Sequence, residues 1–513
     1  MQGLKEFSIY TKRLIGVKDA YAITANAAAL GMDEHTVDEN AGFAVAIAIE
    51  RRHKRDAVLF VCGPGGKGQI GLSAARHLVY NSNVSVAFVA DPGKGAGYRE
   101  GFEYRSVNDA VGVADIGMDN INELKSMAKK PEVVVDALLG VGMKGRLSSL
   151  MINAIEAINK SGKRILSIDV PSGIDADTGN QNLACVKADE ALVLHKMKKG
   201  VELSKSIGGS VVLDVGIPVS AELLCGPGDV YMATESRMLY SNKYTHGKVM
   251  VVGGSKDYTG APLLSAFGSD NAFAALRSGS GYVTIAVPKG VSQRIQSISE
   301  DLIVNEIDIE GDPKGAAARA AQIKHDVTVI GPGLSKSDNV VDFVERLLKS
   351  ESAKGNAVVV DATAIKVLAK MRINIRKNMV ITPHDGEFET LSGMDLKDRS
   401  LHERVSRAIE FARIHGCTLV LKGHETIITN GELLKINRAR SAALAVMGTG
   451  DVLSGIIASY AALHKDLFES SAAAVYVHSA IADRLYEQKG AHIIARDIVD
   501  ALPEMLKSFD TIA

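Results

Sequence analysis

The fold is decided by residues 57–81, AVLFVCGPGGKGQIGLSAARHLVYN. The apolar, β-branched run at 57–63 predicts a buried strand. A glycine-rich turn, Gly63–Gly71, follows it, and residues 71–81 then predict an amphipathic helix. A strand, a tight turn and a helix in this order form the repeating unit of a parallel sheet with helices on its faces.

Strand-like and helix-like runs go on alternating through the first half of the chain. A helix-like run occupies residues 149–162. The further strand candidates are residues 85–91, 132–140, 164–173 and 190–195. Apolar strands interleaved with helices predict the α/β class and a doubly wound sheet.

The alternation stops at residues 213–246, which are rich in Gly and Pro, and a second alternating series starts at residues 248–255. Such a break is typical of a domain junction. A chain of 513 residues is also too long for a single core. The sequence therefore predicts two doubly wound α/β domains, residues 1–218 and residues 228–513.

Composition argues against several classes of protein. Lys and Arg number 59 against 60 Asp and Glu, a balance that favours neither nucleic-acid binding nor a membrane surface. We find no apolar run of the ~18 residues that a membrane span needs, and the start, MQGLKEFSIYTKRLIG, lacks the apolar core of a signal peptide. The four cysteines form no CxxC pair, which favours a reduced, cytoplasmic protein without a zinc site.

A second informative stretch is Met447-Gly448-Thr449-Gly450-Asp451, which runs into an apolar segment that reads as a buried helix. The unpaired N–H groups at the start of such a helix can hold a phosphate or a developing oxyanion. Asp451 at that point is either a helix cap or a general base. Capping turns of this composition are common, so the stretch alone leaves both interpretations open.

Polar residues follow the predicted strands of the first half. The glycines of Gly63–Gly71 either let the backbone approach a phosphate or simply make a tight turn. Asp136 and Asp169 end two strands, and the loop Gly140–Arg146 follows the first of them. Because ligands bind at the carboxyl ends of parallel strands, the two aspartates either share a ligand or cation or cap helices.

Further polar turns follow the strands of the second half. They are Gly253-Gly254-Ser255, Tyr258–Ala261, Gly331-Pro332-Gly333, Thr382-Pro383-His384 and Lys422–Thr426. Each could be a plain turn, but together they place backbone donors, a lysine, a histidine and Asp451 on one rim of a sheet, as expected for binding a phosphorylated ligand and transferring its phosphoryl group. The sequence contains no P-loop motif.

Residues 240–505 resemble the ADP-dependent NAD(P)H-hydrate dehydratase family of the ribokinase-like superfamily. The resemblance is carried by the polar turns just named and by Gly448–Asp451, together with Glu387, Leu453 and Gly455. The resemblance implies a ribokinase-like sheet in which Asp451 is the base. It implies that Ala261, Gly333, His384 and Asp451 bind the hydrate. It also implies that Lys422, Gly423, His424, Glu425, Thr426 and Gly450 bind the nucleotide.

The first half resembles the NAD(P)H-hydrate epimerase family over residues 1–218. The matching motifs are Glu39–Gly42, Ala75-Arg76, Val135–Leu138, Asp169–Gly173 and Lys199-Gly200. The resemblance implies a Rossmann-like sheet with Asp169 as the catalytic residue. The implied hydrate-binding residues are Gly66, Lys67, Gly68, Gln69, Ile70, Gly140, Val141, Gly142, Met143, Lys144, Gly145, Arg146 and Asp169.

Together the two resemblances imply metabolite repair. One domain would interconvert the R and S hydrates of NADH and NADPH, and the other would dehydrate the S hydrate by phosphorylating its hydroxyl and eliminating phosphate. The implied cofactors are ADP or ATP, Mg²⁺ and, in the first domain, K⁺ held by Asp136 and Ser172. We expect a homo-oligomer whose partners are these small molecules, without nucleic acid or membrane.

The first domain departs from its family in one loop. The family carries Asn-Asn-Gly-Gly-Asp where this sequence has Gly66-Lys67-Gly68-Gln69-Ile70. The family's second Asn helps hold the potassium ion, and Lys67 occupies its position. Either the Lys67 ammonium replaces the ion beside Asp136 and Ser172, or Lys67 is a solvated loop residue at a decayed site.

Two alternatives to a bifunctional repair enzyme follow from these residues. The first half could be a non-catalytic binding or assembly module, since Ile70 can neither accept a hydrogen bond nor exchange a proton. The second half could instead be a small-molecule kinase of the same superfamily, acting on an alcohol. That alternative leaves the fused first domain unexplained.

Overall fold

A computed structural model describes residues 3–510, apart from residues 92, 94–95, 143–144, 235–239, 267–273, 298–302 and 372–374. The chain forms two compact units: Lys12–Pro218, and Val219–Ala513 together with Met1–Thr11. The predicted first domain started at residue 1, whereas the 3₁₀ helix Leu4–Tyr10 goes with the second unit. The physical reason is Phe7, which is buried in the apolar core of that unit.

The first unit alternates strands and helices as predicted. Its strands are β1 Leu14–Ile15, β2 Val58–Cys62, β3 Val84–Val89, β4 Val113–Ile116, β5 Val133–Ala137, β6 Arg164–Ile168, β7 Glu190–Leu194, β8 Met197–Lys198 and β9 Ser210–Leu213. Its helices are α1 Val17–Ala29, α2 Glu34–Arg52, α3 Gly66–Leu78, α4 Ala96–Arg99, α5 Phe102–Val111, α6 Ile121–Met127, α7 Ser149–Asn159 and α8 Lys199–Leu203.

The main sheet of this unit has seven parallel strands in the order β4-β3-β2-β5-β6-β7-β9. Every residue of β2 and β5 is buried, as expected for central strands that are covered on both faces. The strand order reverses between β2 and β5, and ligands bind at such a switch point in open α/β sheets. The loops after these two strands therefore face a natural binding crevice.

The second unit continues the alternation on a larger scale. Its strands are β10 Lys248–Val252, β11 Tyr282–Pro288, β12 Ile303–Ile307, β13 Val327–Ile330, β14 Ala357–Val360, β15 Met379–Ile381, β16 Thr418–Leu421, β17 Glu425–Thr429 and β18 Leu434–Arg438. Its helices are α9 Ser220–Leu223, α10 Pro227–Ala233, α11 Gly260–Ala266, α12 Ala274–Arg277, α13 Ser292–Gln296, α14 Pro313–Gln322, α15 Asp338–Lys354, α16 Thr363–Met371, α17 Asp385–Ser392, α18 Leu401–His415, α19 Thr449–His464, α20 Leu467–Lys489 and α21 Ala495–Leu506, with a final 3₁₀ turn at Lys507–Phe509.

Its nine strands run in the order β12-β11-β10-β13-β14-β15-β16-β17-β18. They are parallel except for the antiparallel pairs β16–β17 and β17–β18. One apolar core lies between the sheet and α19, α20 and α21, and another lies on the opposite face beneath α14, α15 and α18. The predicted α/β class with two doubly wound sheets is confirmed by these strand orders.

Two local predictions need adjustment. The helix predicted at 71–81 begins earlier, at Gly66, so much of the predicted glycine turn is itself the first turn and a half of α3. The predicted junction 213–246 contains the boundary between the units but also the helices α9 and α10 of the second unit. Within the described ranges, we find no helix both long and apolar enough for a membrane span.

Candidate active sites

The first unit holds a buried lysine in a cage of oxygen atoms at the switch point. Lys67 lies in the first turn of α3, and its side chain is 3% exposed. Its Nζ donates to Asp136 Oδ2 at 2.8 Å and to the carbonyl of Val170 at 2.8 Å. It also donates to Ser167 Oγ and Ser172 Oγ, each at 3.2 Å. The interpretation of Lys67 as a solvated loop residue is therefore wrong.

Asp136 is the anionic partner in this cage and is fully buried. Burial alone would raise the pKa of its carboxyl, but the Lys67 ammonium and hydrogen bonds from Ser167 and Ser172 outweigh burial and hold the pKa below 3.8. Burial also disfavours the charged form of Lys67 and so lowers its pKa, and the Asp136 carboxylate opposes that effect. An ion pair this deep persists only where further hydrogen bonds satisfy both partners, as they do here.

A cavity of about 400 Å³ opens beside the cage. Asp169, at the end of β6, lines it and adopts a left-handed backbone with φ of +57°, a conformation that Asp tolerates better than most residues. Its Oδ1 lies 2.6 Å from Lys198 Nζ and accepts from the backbone N–H of Leu194 at 3.1 Å. Lys198 is not among the residues predicted from the sequence, although it directly precedes the Lys199-Gly200 motif.

The structure brings part of the predicted loop set to this cavity. The predicted residues that line it are Gly66, Lys67, Ile70, Gly140, Val141, Gly142 and Asp169. Gly68 instead packs on the strand end, where an added Cβ would lie 1.8 Å from the Gly63 carbonyl oxygen. Gln69 is absent from the lining, and Gly145 and Arg146 are exposed. Met143 and Lys144 lie outside the described residues.

A second carboxyl group, which the sequence reasoning also missed, lines this cavity. Asp38 in α2 lies one residue before the Glu39–Gly42 motif. Burial, and then the nearby carboxylates of Glu34 and Glu103, raise its pKa from 3.8 to about 7. The cavity thus carries an aspartate that can exchange a proton near neutral pH on one wall and the ion-paired Asp169 on another.

In the second unit, the carboxyl ends of β14 and β16 meet the start of α19. Lys422 Nζ lies 3.0 Å from Asp361 Oδ1, and Ser454 of α19 donates to Asp361 Oδ2 at 2.8 Å. A Cβ placed on Gly450 would lie 3.3 Å from Lys422 Nζ. The structure therefore places the predicted Gly450 directly beside the predicted Lys422. Asp361, a strand-end aspartate that the sequence analysis did not predict, links Lys422 to Ser454 of α19.

Helix α19 begins at Thr449, inside the glycine-rich stretch from which a buried helix was predicted. Its N-cap is Gly448, whose φ of +91° favours glycine. In the part of the chain that the structure describes, the N–H groups of Gly450 and Asp451 donate no hydrogen bond, which leaves these donors available to an anion. Burial, and then the charge of Asp361, raise the pKa of Asp451 to about 7, so Asp451 can take up a proton near neutral pH.

A cavity of about 460 Å³ lies in front of α19. The predicted residues Lys422, Gly423, His424, Thr426 and Gly450 line it, and so does His384, which the sequence assigned to the hydrate. Glu425 is the exception among the predicted nucleotide residues. It does not line the cavity and instead pairs with Arg438 at 3.1 Å.

Two further predicted residues lie together near the switch point of the second sheet, after β10 and β13. Gly333 has φ of +68°, and a Cβ placed on it would lie 3.0 Å from Ala261 Cβ. Gly331, two residues earlier, has φ of +123°, and its added Cβ would lie 1.8 Å from the Asp361 carbonyl oxygen. Glycine at 331 thus lets the loops after β13 and β14 meet.

Comparison with known families gives one match for each unit. A family model described as NAD(P)H-hydrate dehydratase matches residues 249–504. A model described as YjeF-related protein N-terminus matches residues 34–200. The order of the two matches along the chain is that of the two units in the fold.

Curated relatives match nearly the whole chain. The bifunctional NAD(P)H-hydrate repair enzyme of Hyperthermus butylicus is 34% identical over 505 residues, which are 96% of this chain and 91% of that protein. The enzyme of the same name from Archaeoglobus fulgidus is 34% identical over 512 residues, 96% of this chain and 99% of that one. A crystal structure of the ADP/ATP-dependent NAD(P)H-hydrate dehydratase from Bacillus subtilis, co-crystallised with ATP and Mg²⁺, is 27% identical, with a TM-score of 0.47 over 56% of this chain and 99% of that chain.

Proposed function

The chain belongs to the family of bifunctional NAD(P)H-hydrate repair enzymes, and we propose that it repairs hydrated NADH and NADPH with one activity in each unit. The second unit dehydrates the S hydrate at the expense of ADP, and the first interconverts the R and S hydrates. The observation that carries the proposal is Asp451, a carboxyl with a pKa near neutrality beside unpaired N–H groups at the start of α19.

In the second unit, Asp451 removes the proton from the hydrate hydroxyl as its oxygen attacks the terminal phosphorus of the nucleotide. The N–H groups of Gly450 and Asp451 hold the phosphoryl group that is transferred. Hydroxide is a poor leaving group and phosphate a good one. The C–O bond then breaks, phosphate leaves with the electron pair, and loss of a ring proton restores the nicotinamide, so that hydrate and ADP give NAD(P)H, AMP and phosphate.

Binding is divided between two sets of residues. The nucleotide lies in the cavity of Lys422, Gly423, His424, Thr426 and Gly450, where Lys422 balances phosphate charge. Glu425 stabilises this loop through Arg438 rather than by touching the ligand. The hydrate lies against Ala261, Gly333 and Asp451, and it also contacts His384, which lines the nucleotide cavity.

A magnesium ion would be held mainly by the nucleotide. Within the described residues, no three His, Cys, Asp or Glu side chains are grouped so as to hold a metal ion. Both oxygens of Asp361 already accept hydrogen bonds. Phosphate oxygens and water, the usual ligands of nucleotide-bound Mg²⁺, would therefore supply its coordination. When bound, the ion neutralises phosphate charge.

In the first unit, Asp136 and Ser172, the two residues expected to hold a potassium ion, are not free to bind one. Asp136 and Ser172 already accept hydrogen bonds from Lys67, together with Ser167 and the Val170 carbonyl. The Lys67 ammonium supplies in cis the positive charge that a bound ion would otherwise supply. Hydrate epimerisation in the adjoining cavity, with Asp169 as the catalytic residue, therefore needs no monovalent cation.

The test is an assay of the purified full-length chain. We expect S hydrate with ADP to yield reduced nicotinamide and equal amounts of AMP and phosphate, and ADP and ATP compared side by side give the nucleotide preference. R hydrate should be consumed faster than its spontaneous epimerisation allows. A stable phosphorylated product without regenerated NAD(P)H would identify a small-molecule kinase, and consumption of R hydrate only at the spontaneous rate would identify the first unit as non-catalytic.

We also propose a cytoplasmic homo-oligomer whose partners are these small molecules, without nucleic acid or membrane. The balanced charge supports the absence of nucleic-acid and membrane partners, and the four free cysteines support a reducing compartment such as the cytoplasm. Light scattering of the purified chain would measure the oligomeric state.

A further inference from the structure

Outside the residues assigned so far, the wall of the nucleotide cavity contains a buried histidine with an unused ring nitrogen. His478, on α20, is 4% exposed and lines the cavity. Among the described residues, none offers its Nε2 a hydrogen-bond partner. A buried polar atom without a partner is costly, typically about 1–3 kcal/mol, and in a cavity wall such an atom points to a ligand.

The ring's surroundings fix what this nitrogen can do. Burial lowers the pKa of His478 to about 4, although a hydrogen bond with the Thr449 backbone partly opposes that effect. The ring is therefore neutral at pH 7. The hydrogen bond with the Thr449 backbone favours the protonated ring. Among backbone groups only a carbonyl, which accepts a hydrogen bond, has this effect, so the ring is the donor. Because Nε2 is unpartnered, Nδ1 carries that proton and Nε2 presents a bare lone pair.

A bare lone pair selects the kind of ligand atom that it can meet. It repels phosphate oxygens, which are acceptors only, and Lys422 already serves the phosphates. It attracts N–H and O–H donors, and the nucleoside part of ADP carries these as the amino group of adenine and the hydroxyls of ribose. Val475, Leu444 and Leu453 line the same cavity and give it apolar surface suited to a flat base.

We propose that His478 Nε2 accepts a hydrogen bond from a donor group of the bound nucleoside and thereby helps to determine which nucleotide the second unit uses. The inference rests on the proposed function, because it takes the 460 Å³ cavity as the nucleotide site. His478 acts on binding, and the phosphoryl chemistry stays with Asp451 and the start of α19.

The experiment is a set of calorimetric titrations of the full-length chain with ADP and three analogues, each lacking one donor. Inosine diphosphate has an oxo group in place of the adenine amine, and 2′-deoxy-ADP and 3′-deoxy-ADP each lack one ribose hydroxyl. We expect one analogue to bind about tenfold more weakly than ADP, the ratio that corresponds to one hydrogen bond. The analogue that loses affinity identifies the amine or the hydroxyl as the donor.

Variants of His478 test whether this side chain is the acceptor that distinguishes ADP from its analogues. In His478→Phe, which has no acceptor, ADP should bind about tenfold more weakly and should no longer be distinguished from that analogue. His478→Gln, whose amide oxygen can accept, should restore much of the discrimination. His415→Phe is the matched control, because His415 lies on α18 and does not line the cavity, and it should leave all four affinities unchanged.

A second measurement keeps the inference testable if the Phe variant does not fold. The ¹⁵N resonance of His478 Nε2 in the wild-type chain should be that of an unprotonated nitrogen and should shift on ADP binding. An unchanged resonance, or equal affinities for ADP and all analogues, would overturn the inference while leaving the repair function in place. Failure of the wild-type chain to bind ADP at all would instead contradict the proposed function.

Discussion

Replacement of Asp451 by Asn should make the second unit inactive and, at the same time, more stable at neutral pH. The carboxyl is held largely out of water near Asp361, and its pKa rises from 3.8 to about 7. A rise of this size corresponds to about 4 kcal/mol of penalty on the ionised form. Because Asp451 retains some solvent contact, we expect about 1–3 kcal/mol to be recovered by the neutral amide.

The sign of the pH dependence follows from the two pKa values. In the unfolded chain the carboxyl is ionised above 3.8, whereas in the folded chain it is protonated below about 7. The folded state therefore binds an extra proton between these values, and the wild-type chain loses stability, relative to the Asn variant, as the pH rises through this window. The advantage of Asp451→Asn should be full above about pH 7 and should vanish towards pH 3.8.

Activity should change in the opposite direction. Loss of a general base costs on the order of 10²–10⁴ in rate, while the affinity for ADP should stay nearly normal, because the backbone donors and Lys422 remain. In the wild-type chain, kcat/KM for the S hydrate should rise tenfold per pH unit up to about pH 7 and then level off, because only the carboxylate is a base.

The assays are thermal unfolding across pH, calorimetric titration with ADP, and initial rates with S hydrate. The matched control is Asp338→Asn, since the Asp338 side chain is 93% exposed and its ion pair with Lys370 is solvated. It should change the stability by less than about 1 kcal/mol at every pH and leave the rate unchanged. Near-normal turnover by Asp451→Asn, or a variant less stable than the wild type above pH 7, would refute the reasoning.

Three further predictions concern other parts of the two sites. Lys422→Ala should weaken ADP binding, measured by titration, by more than it weakens hydrate binding, and an equal loss of both would contradict the assignment of Lys422 to the nucleotide. Epimerisation by the wild-type chain should proceed equally in sodium and potassium buffers, whereas Lys67→Asn, which removes the ammonium, should make the rate depend on potassium; a wild-type rate that requires potassium would disprove the replacement. Gly331→Ala, at a φ of +123°, should lower the free energy of unfolding by about 1–3 kcal/mol through the clash with Asp361. Gly355→Ala, also at a positive φ (+76°) but with open space around its added Cβ, should cost less in chemical denaturation.

Local patterns were enough to predict the elements that frame both sites. The run of residues 57–63 became β2, and the apolar stretch after Gly448 became the buried helix α19. The left-handed φ of Gly448 could also be expected from the sequence, because glycine adopts this conformation without steric cost. Asp451 was placed at the start of that helix for the same reason, since the distance along the chain from the turn fixes its position in the first turn.

Other features depended on residues that the sequence keeps far apart. Lys67 lies 69 residues from Asp136 and 105 from Ser172, and its two nearest neighbours on either side, glycines and Gln69, are equally typical of a solvated loop. Only the crossover that puts β2 beside β5 brings its ammonium into the oxygen cage. Sequence likewise could not separate Glu425, which faces Arg438, from neighbours that line the cavity, because that depends on the register of β17 with β18.

The sequence by itself determined the α/β class, the order of strands and helices, and the turns where backbone donors become available, because each is set by side-chain periodicity and glycine over short stretches of chain. Only the tertiary structure decided which charges are paired, which carboxyls stay protonated near neutral pH, and that Nε2 of His478 is buried in a cavity wall. Burial and charge pairing depend on all the elements packed around a group, and packing of residues distant in the chain creates the low-dielectric surroundings that shift a pKa.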